Sequence, residues 1–405
     1  MLDVLTTAVT FIVPFLLVLT LVVTVHELGH FLAARSFGVA IDRFSIGFGR
    51  AIASWRDGQG VEWRIGWIPF GGYVRFSGDE NEASVPDQES LDALRHEVEQ
   101  REGAQALQRY YHFKPIWQRA VIAAAGPAAN FVLAIVLFAG LLVSFGEPVT
   151  RARVASVQPE SAAAAAGFRP GDLVLEAAGR PVKSFEDLTT TVELRGGVRT
   201  DFVVERDGRR FLITATPAWK EVPDKIRGTR KIGRLGIGSS GDPADSMRVR
   251  YNPIEAVAGG VDRTWHVLTT TVYYLGRIVQ GQVGADQISG PLGIANVTGK
   301  VAQISAEGAP NLGVMLLVVT VNLVQLAALI SVSVGFMNLL PIPILDGGHL
   351  LFYAYEAVAR RPLTARVQAA GYRVGLALVL GLMLFATWND LQQLRVFKFL
   401  GRLFS

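Results

Sequence analysis

The sequence predicts a polytopic α-helical membrane protein of about four transmembrane helices, with a membrane-associated β-hairpin and one inserted α+β domain. Three observations carry this prediction. Half of the 405 residues are hydrophobic and only 18% are charged, which is not the usual soluble balance. Val4 to Val25, Ala120 to Gly146 and Asn311 to Leu345 hold no charged side chain, and each reaches the roughly 20 apolar residues that a bilayer-spanning helix needs. Between the second and third runs lies a long polar stretch with short strand patterns and turn residues.

The first run is too long and too uniformly apolar for a signal peptide, and it follows Asp3 rather than a basic segment, so it is expected to stay in the mature protein. The third run ends in Asn338, Pro341 and Pro343; proline stops a helix, so a helix followed by an irregular stretch at membrane depth is expected. A fourth run, Val374 to Asn389, is bounded by Arg373 and Asp390 and spans only with flanking residues added.

These marks divide the chain at 1–35 (first transmembrane helix), 36–118 (cytoplasmic segment with the hairpin), 119–146 (second helix), 147–220 (the α+β domain), 221–310 (linker and amphipathic helix), 311–349 (third helix and its irregular end) and 350–405 (fourth helix and tail). Basic residues flank the spans at Arg35, Arg43, Arg50, Arg101, Arg109, Lys114 and Arg119, and again at Arg360, Arg361, Arg366 and Arg373. By the positive-inside rule those segments are cytoplasmic and residues 147–310 lie outside. Arg395, Lys398 and Arg402 in the tail argue the other way.

In the hairpin segment, Ala51 to Phe76, Val61, Trp63, Ile65 and Trp67 alternate with Glu62, Arg64 and Gly66 after the turn Asp57-Gly58-Gln59-Gly60, the period of a strand. In the outer domain, strands are expected at Arg153–Val157, Asp172–Glu176, Asp201–Glu205 and Arg210–Thr216, with Asp207-Gly208 as a tight turn. Ser161 caps a short alanine-rich helix ending at Gly167, and Ser184 with Asp187 caps another through Leu194. This arrangement, with Gly167-Phe168-Arg169-Pro170-Gly171-Asp172 leading into a strand, resembles a bacterial-type PDZ domain, present once. From Pro253 to Gln280 apolar residues recur at helical spacing, which predicts an amphipathic helix at the membrane surface or packed on that domain.

The absence of cysteine excludes disulfides, thiolate metal sites and cysteine nucleophiles. A net charge of only +4 with dispersed basic residues makes nucleic acid a poor partner.

The chemistry is carried by Val25-His26-Glu27-Leu28-Gly29-His30 at the end of the first run. Residues four apart share a helix face, so His26 and His30 can reach one cation while Glu27 handles a proton. Charge at the bilayer centre costs roughly 2.5–3.5 kcal/mol on insertion scales, so such groups mark function more often than an interfacial histidine pair. A catalytic zinc usually takes three protein ligands. Asp346, the only acidic group in a long apolar region, is the third candidate; a helix-capping role for Asp346 and ligation by His349 are the alternatives.

HExxH in the first span, Asn338-Leu339-Leu340-Pro341-Ile342-Pro343-Ile344-Leu345-Asp346-Gly347-Gly348 at the third, and a PDZ domain between resemble the site-2 protease family of intramembrane zinc metalloproteases, and within it the bacterial RseP group. Ile46-Gly47-Phe48-Gly49, Ile68-Pro69-Phe70-Gly71-Gly72-Tyr73-Val74, Gly126-Pro127-Ala128-Ala129-Asn130 and Ser289-Gly290-Pro291-Leu292-Gly293-Ile294 follow in family order, so the resemblance covers nearly the whole chain. The better-known members of that group carry two tandem PDZ domains; this chain has room for one.

The resemblance implies that His26, His30 and Asp346 hold Zn²⁺, that Glu27 is the catalytic base, and that Asn338 helps hold the substrate. Asn130 is a second candidate for substrate binding, against a plain helix-packing role. It implies further that the hairpin pairs with an extended substrate by strand addition, against a hairpin that merely covers the cytoplasmic face. The expected activity is regulated intramembrane proteolysis of single-span membrane proteins such as anti-sigma factors, in a bacterial inner membrane, with the PDZ domain filtering substrates. A catalytically inactive PDZ-bearing scaffold and a metal transporter are the competing readings. The intact polar set speaks against the first, and the lack of acidic or histidine side chains in the second and fourth spans against the other.

Overall fold

The computed structural model describes residues 2–78, 88–224, 228–239, 245–281, 289–306 and 310–393. Four of the described helices are long and apolar enough to cross a membrane: α1 (Leu2–Ser36, of which Phe11–Ser36 is the apolar span), α3 (Ile116–Phe145), α8 (Leu312–Asn338) and α10 (Ala365–Gln393). The chain is a multi-pass membrane protein. Large apolar side chains such as Leu17, Val132, Val136 and Leu316 stand exposed along these helices, the surface that lipid rather than water covers. The basic tail residues Arg395, Lys398 and Arg402 lie outside the described residues.

The chain divides into two units, 1–139 with 257–405, and 140–256. In the first, α1 leads into β1 (Ile41–Arg56) and β2 (Glu62–Phe76). Here the structure is richer than a simple hairpin. Residues Phe44–Ile46 pair with Val74–Gly72 on one side and with Trp63–Ile65 on the other, while Ala53–Arg56 pair with Ile65–Glu62. Both long strands bend back on themselves, giving four ladder segments with 51–56 and 72–76 at the two edges. Phe31, Ala34, Phe44, Val61 and Ile122 form the core between this sheet, α1 and α3. The Asp57 side chain closes the turn, accepting from the Gln59 and Val61 backbone N–H groups at 2.9 and 3.1 Å.

After α2 (Gln88–Arg101) and α3, the second unit holds β3 (Glu147–Thr150), β4 (Val154–Val157), α4 (Ala162–Ala166), β5 (Leu173–Ala177), β6 (Arg180–Pro181), α5 (Phe185–Leu194), β7 (Thr200–Arg206), β8 (Arg209–Ala215), β9 (Ala218–Asp224), β10 (Gly228–Arg234), β11 (Ile237–Ser239) and β12 (Ser246–Val249). Ser161 caps α4 and Ser184 with Asp187 forms a capping box on α5; Asp207 and Gly208 both take positive φ in the β7–β8 turn, as the sequence predicts. Phe168, Val174, Leu188, Phe202 and Val204 fill the core. The unit runs well past Lys220. β9 pairs with its sequence neighbour β10, whereas β11 returns to pair with β4 and β12 with β3, and these last two long-range pairings carry no signal in local sequence.

The amphipathic helix expected from Pro253 to Gln280 is α6 (Pro253–Val279), which lies in the first unit from Val257 onward. Its Val267 and Leu268 pack with Ala134 and Phe138 of α3 and Ala328 and Val332 of α8. Ala256, Gly260 and Thr264 form a stripe of small residues; a Cβ on Gly260 would stand 2.6 Å from the Ile135 carbonyl oxygen and 3.3 Å from Ala139 N, the close approach such stripes permit. The stretch before α8 also forms a helix, α7 (Pro291–Ala306). The buried Asp390 carboxylate on α10 accepts from the Gly290 and Gly293 N–H groups at its start, at 3.1 and 2.7 Å. Finally α8 ends at Asn338, residues 339–345 are irregular, and α9 (Asp346–Ala359) begins.

Candidate active site

Each side chain of the site is placed by a different constraint. His26 and His30 lie one turn apart on α1 and face α3. Asp346 is the first residue of α9, where the proline-broken loop delivers it. Gly347 and Gly348 allow that loop to fold onto the helix start, since a Cβ on either would collide with the Leu339, Leu340 or Ile342 carbonyl oxygens. Asp346 is not the helix cap, for Leu345 holds that position.

Ligand atoms from these three residues converge. His26 Nε2 and His30 Nε2 are 3.2 Å apart, and Asp346 Oδ2 stands 3.1 Å from the first and 3.5 Å from the second. Two ligands on a tetrahedral zinc at 2.0–2.1 Å are about 3.3 Å apart, so the triangle has the size of a zinc site face. His30 Nδ1 donates to the Ile122 carbonyl at 2.8 Å, which turns Nε2 toward the Asp346 carboxylate. A second-sphere bond of this kind orients an imidazole for a metal. His349, the alternative ligand, lies outside the cluster and turns its Nδ1 to the Tyr372 hydroxyl at 3.4 Å.

The packing that holds the rings comes from α3. A Cβ on Gly126 would collide with His30 Nε2 and stand 2.6 Å from His30 Cε1 and 2.9 Å from His26 Cε1, so only glycine leaves the imidazoles their place. Glu27 is half-buried beside the histidines and accepts from the Val74 backbone N–H of β2. Gly72 of the same edge lies against it, with a Cβ there 3.6 Å from Glu27 Cγ. Thr20 of α1 donates to the Pro69 carbonyl at 2.8 Å, which ties the strand to the helix that carries Glu27.

The sequence pattern of peptidase family M50 matches residues 14–382. The chain belongs to peptidase family M50. It is 54% identical to the metalloprotease MmpA of Caulobacter vibrioides over 394 residues, covering 97% of this chain and 98% of that one. It is 42% identical over 384 residues to a chain of Agrobacterium fabrum whose name places it provisionally among the zinc metalloproteases, with 95% and 96% covered. This peptidase is therefore a membrane metalloprotease that uses zinc.

Asn130 and Asn338 are the two sequence-based candidates for substrate contact. Asn130, a candidate for substrate contact, is fully buried, with its amide Nδ2 3.1 Å from His26 Nδ1, and its backbone carbonyl accepts from Ser331 at 2.8 Å. With the amide turned by 180°, an orientation that the hydrogen-bond network decides, Oδ1 accepts from His26 Nδ1–H. That frees Nε2 for the metal and satisfies the oxygen, which otherwise has no partner. Asn338 ends α8, half-buried, eight residues before Asp346. Sequence reasoning singled out the segment from Gly126 to Asn130 but not the Ile122 carbonyl or the Val74 N–H, since a backbone atom that serves a side chain far away in the chain has no signature of its own.

Proposed function

We propose that this peptidase cuts single-span membrane proteins, anti-sigma factors among them, within the bilayer of a bacterial inner membrane. The convergence of His26, His30 and Asp346 on one point, with Glu27 beside them, is the observation that supports the reading. Those three residues would hold the zinc. Bound zinc supplies Lewis acidity, lowering the pKa of its water from 15.7 toward about 7 and polarising a peptide carbonyl. Glu27 takes the proton from the attacking water and returns it to the leaving amine as the peptide bond breaks.

A helical substrate hides its carbonyls in its own hydrogen bonds and must unwind before attack. An extended segment adding to the sheet of β1 and β2 would lie beside Glu27, and Asn338 would help hold it. The α+β unit, read as a single PDZ domain outside the cytoplasm, filters substrates after another protease has removed their outer part.

The test is co-expression of the wild type and Glu27→Gln with a candidate single-span substrate. A fragment made by the wild type and not by Glu27→Gln, which still binds zinc, supports the assignment. The same fragment from both, or none from either with zinc bound, overturns it for that substrate. A reporter fused after Asp201 should be extracytoplasmic, and a cytoplasmic signal would reverse the orientation.

A further inference from the structure

The first unit contains, among its described residues, a second built feature that the proteolytic chemistry does not use. A cavity of ≈ 790 Å³ opens where α1 ends, between the turn at Gly38–Asp42, the β1–β2 connection and Arg109. Arg35, Arg43, Arg56, Arg75 and Arg109 line it, against the two carboxylates Asp42 and Glu62. With Asp57, which pairs with Arg35, five arginines meet three carboxylates, and an excess of two positive side chains around one cavity is a local concentration in a chain whose net charge is only +4.

Two of the arginines are held in place. Arg35 Nη1 donates to Asp57 at 3.0 Å and Arg43 Nε to Glu62 at 2.8 Å, and Asp57 is itself fixed by the turn it closes. Arg43 also donates from Nη1 to the Tyr73 hydroxyl at 3.4 Å, so both guanidiniums are fixed in orientation, and the Nε–Nη2 edge of Arg35 keeps the geometry that suits phosphate oxygens. The depth is also telling. Arg35 lies in the last turn of the span Phe11–Ser36, so the cavity opens at the polar end of a helix long and apolar enough to cross a membrane, and an arginine in that position can meet lipid phosphate.

We propose that this cavity is a binding site for a phosphate-bearing anion at the membrane surface, either the headgroup of an anionic phospholipid or a soluble phosphate. Its ligand would sit on the strand that carries Arg75, next to Val74, whose N–H reaches Glu27. The inference requires only the described side chains of the first unit and stands whether or not the substrate assignment above is right.

The test uses the full chain in an uncharged detergent, titrated with dihexanoyl phosphatidylglycerol, with inorganic phosphate, and with dihexanoyl phosphatidylcholine as the neutral control. Arg56 and Arg109 are exposed, so R56Q/R109Q removes charge with little packing. Wild type should bind phosphatidylglycerol saturably. R109Q should bind about fivefold and R56Q/R109Q about thirtyfold more weakly, at the usual contribution of an arginine near an anionic surface. R56K/R109K, which keeps the charge, should stay within a few-fold of wild type.

Phosphatidylglycerol that inorganic phosphate fails to displace identifies the lipid as the source; displacement at equal concentration identifies soluble phosphate. Three results overturn the proposal: phosphatidylcholine binding as tightly as phosphatidylglycerol, affinity unchanged in R109Q and R56Q/R109Q, or no binding of either anion by wild type. A melting temperature equal to wild type without ligand shows that a weakened variant is still folded.

Discussion

Replacing Gly126 by alanine adds one methyl group on α3, and the structure says where it goes. The new carbon would overlap His30 Nε2 and stand 2.6 Å from His30 Cε1 and 2.9 Å from His26 Cε1. Ordinary carbon contacts lie near 3.5 Å, so the imidazoles must retreat by roughly 0.6–0.9 Å. Ligand distances in a metal site hold to about ±0.2 Å, so both histidines leave their ligating positions. Pushing α3 away instead would break the His30–Ile122 bond at 2.8 Å and open the packing where Gly29 meets Ala125. Overpacking of this kind costs about 1–3 kcal/mol, so the protein should still fold. Zinc affinity, measured by chelator competition on the purified protein, should fall at least about 100-fold, since outer contacts alone are worth 10–100-fold, while the melting curve shifts only slightly. A Gly126→Ala protein that binds zinc as tightly as the wild type and cleaves at the wild-type rate would refute the placement of the histidines against α3.

Other perturbations test other parts of the structure. Asn130→Ala should weaken zinc binding about 10–100-fold, and Asn130→Asp, which keeps an oxygen facing His26 Nδ1, should recover most of it; equal losses in both would reject the tautomer argument. Asp390→Asn removes a buried carboxylate that accepts two backbone N–H groups of α7, and should cost about 1.5–3 kcal/mol in thermal or denaturant unfolding. In the second unit, burial pushes the Asp172 carboxyl up, but hydrogen bonds from Arg206 and from the Arg169 N–H outweigh this and hold it below the ordinary carboxylate range. A depressed folded-state pKa stabilises above the unfolded value and loses that contribution as pH falls through the folded one. Tryptophan fluorescence of Trp219 should therefore show acid unfolding of this unit beginning below about pH 4, and Asp172→Asn should remove that part of the pH dependence.

How much of this could be read in advance differs by element. His26, Glu27, His30 and Asp346 stood out because charge is scarce in the apolar runs around them, and the structure brings the three ligand candidates together. The end of α8 at Asn338 was legible from Pro341 and Pro343, and the caps at Ser161 and Ser184 from their neighbours, because each is a local steric or hydrogen-bonding event. The second pairing of Phe44–Ile46 was not legible, since the same alternation serves a strand with one neighbour or two. Nor was the seat of α6, because an amphipathic pattern names a buried face without naming what buries it. Asn130 illustrates the same gap: an asparagine in an apolar helix signals a polar contact, while the choice between substrate and ligand depends on which helix lies opposite.

The seating of Gly260 against Ile135 and Ala139 brings together the two points at which the chain leaves the first unit, after Ala139, and re-enters it, at Val257. All residues of the metal cluster lie on one side of that division. The inserted unit is therefore attached like an appliance to a two-pin socket. Evolution can lengthen, duplicate or exchange what is plugged in without moving a ligand, and an engineer who joins Ala139 to Val257 by a short linker should recover a miniature chain that still assembles its metal site.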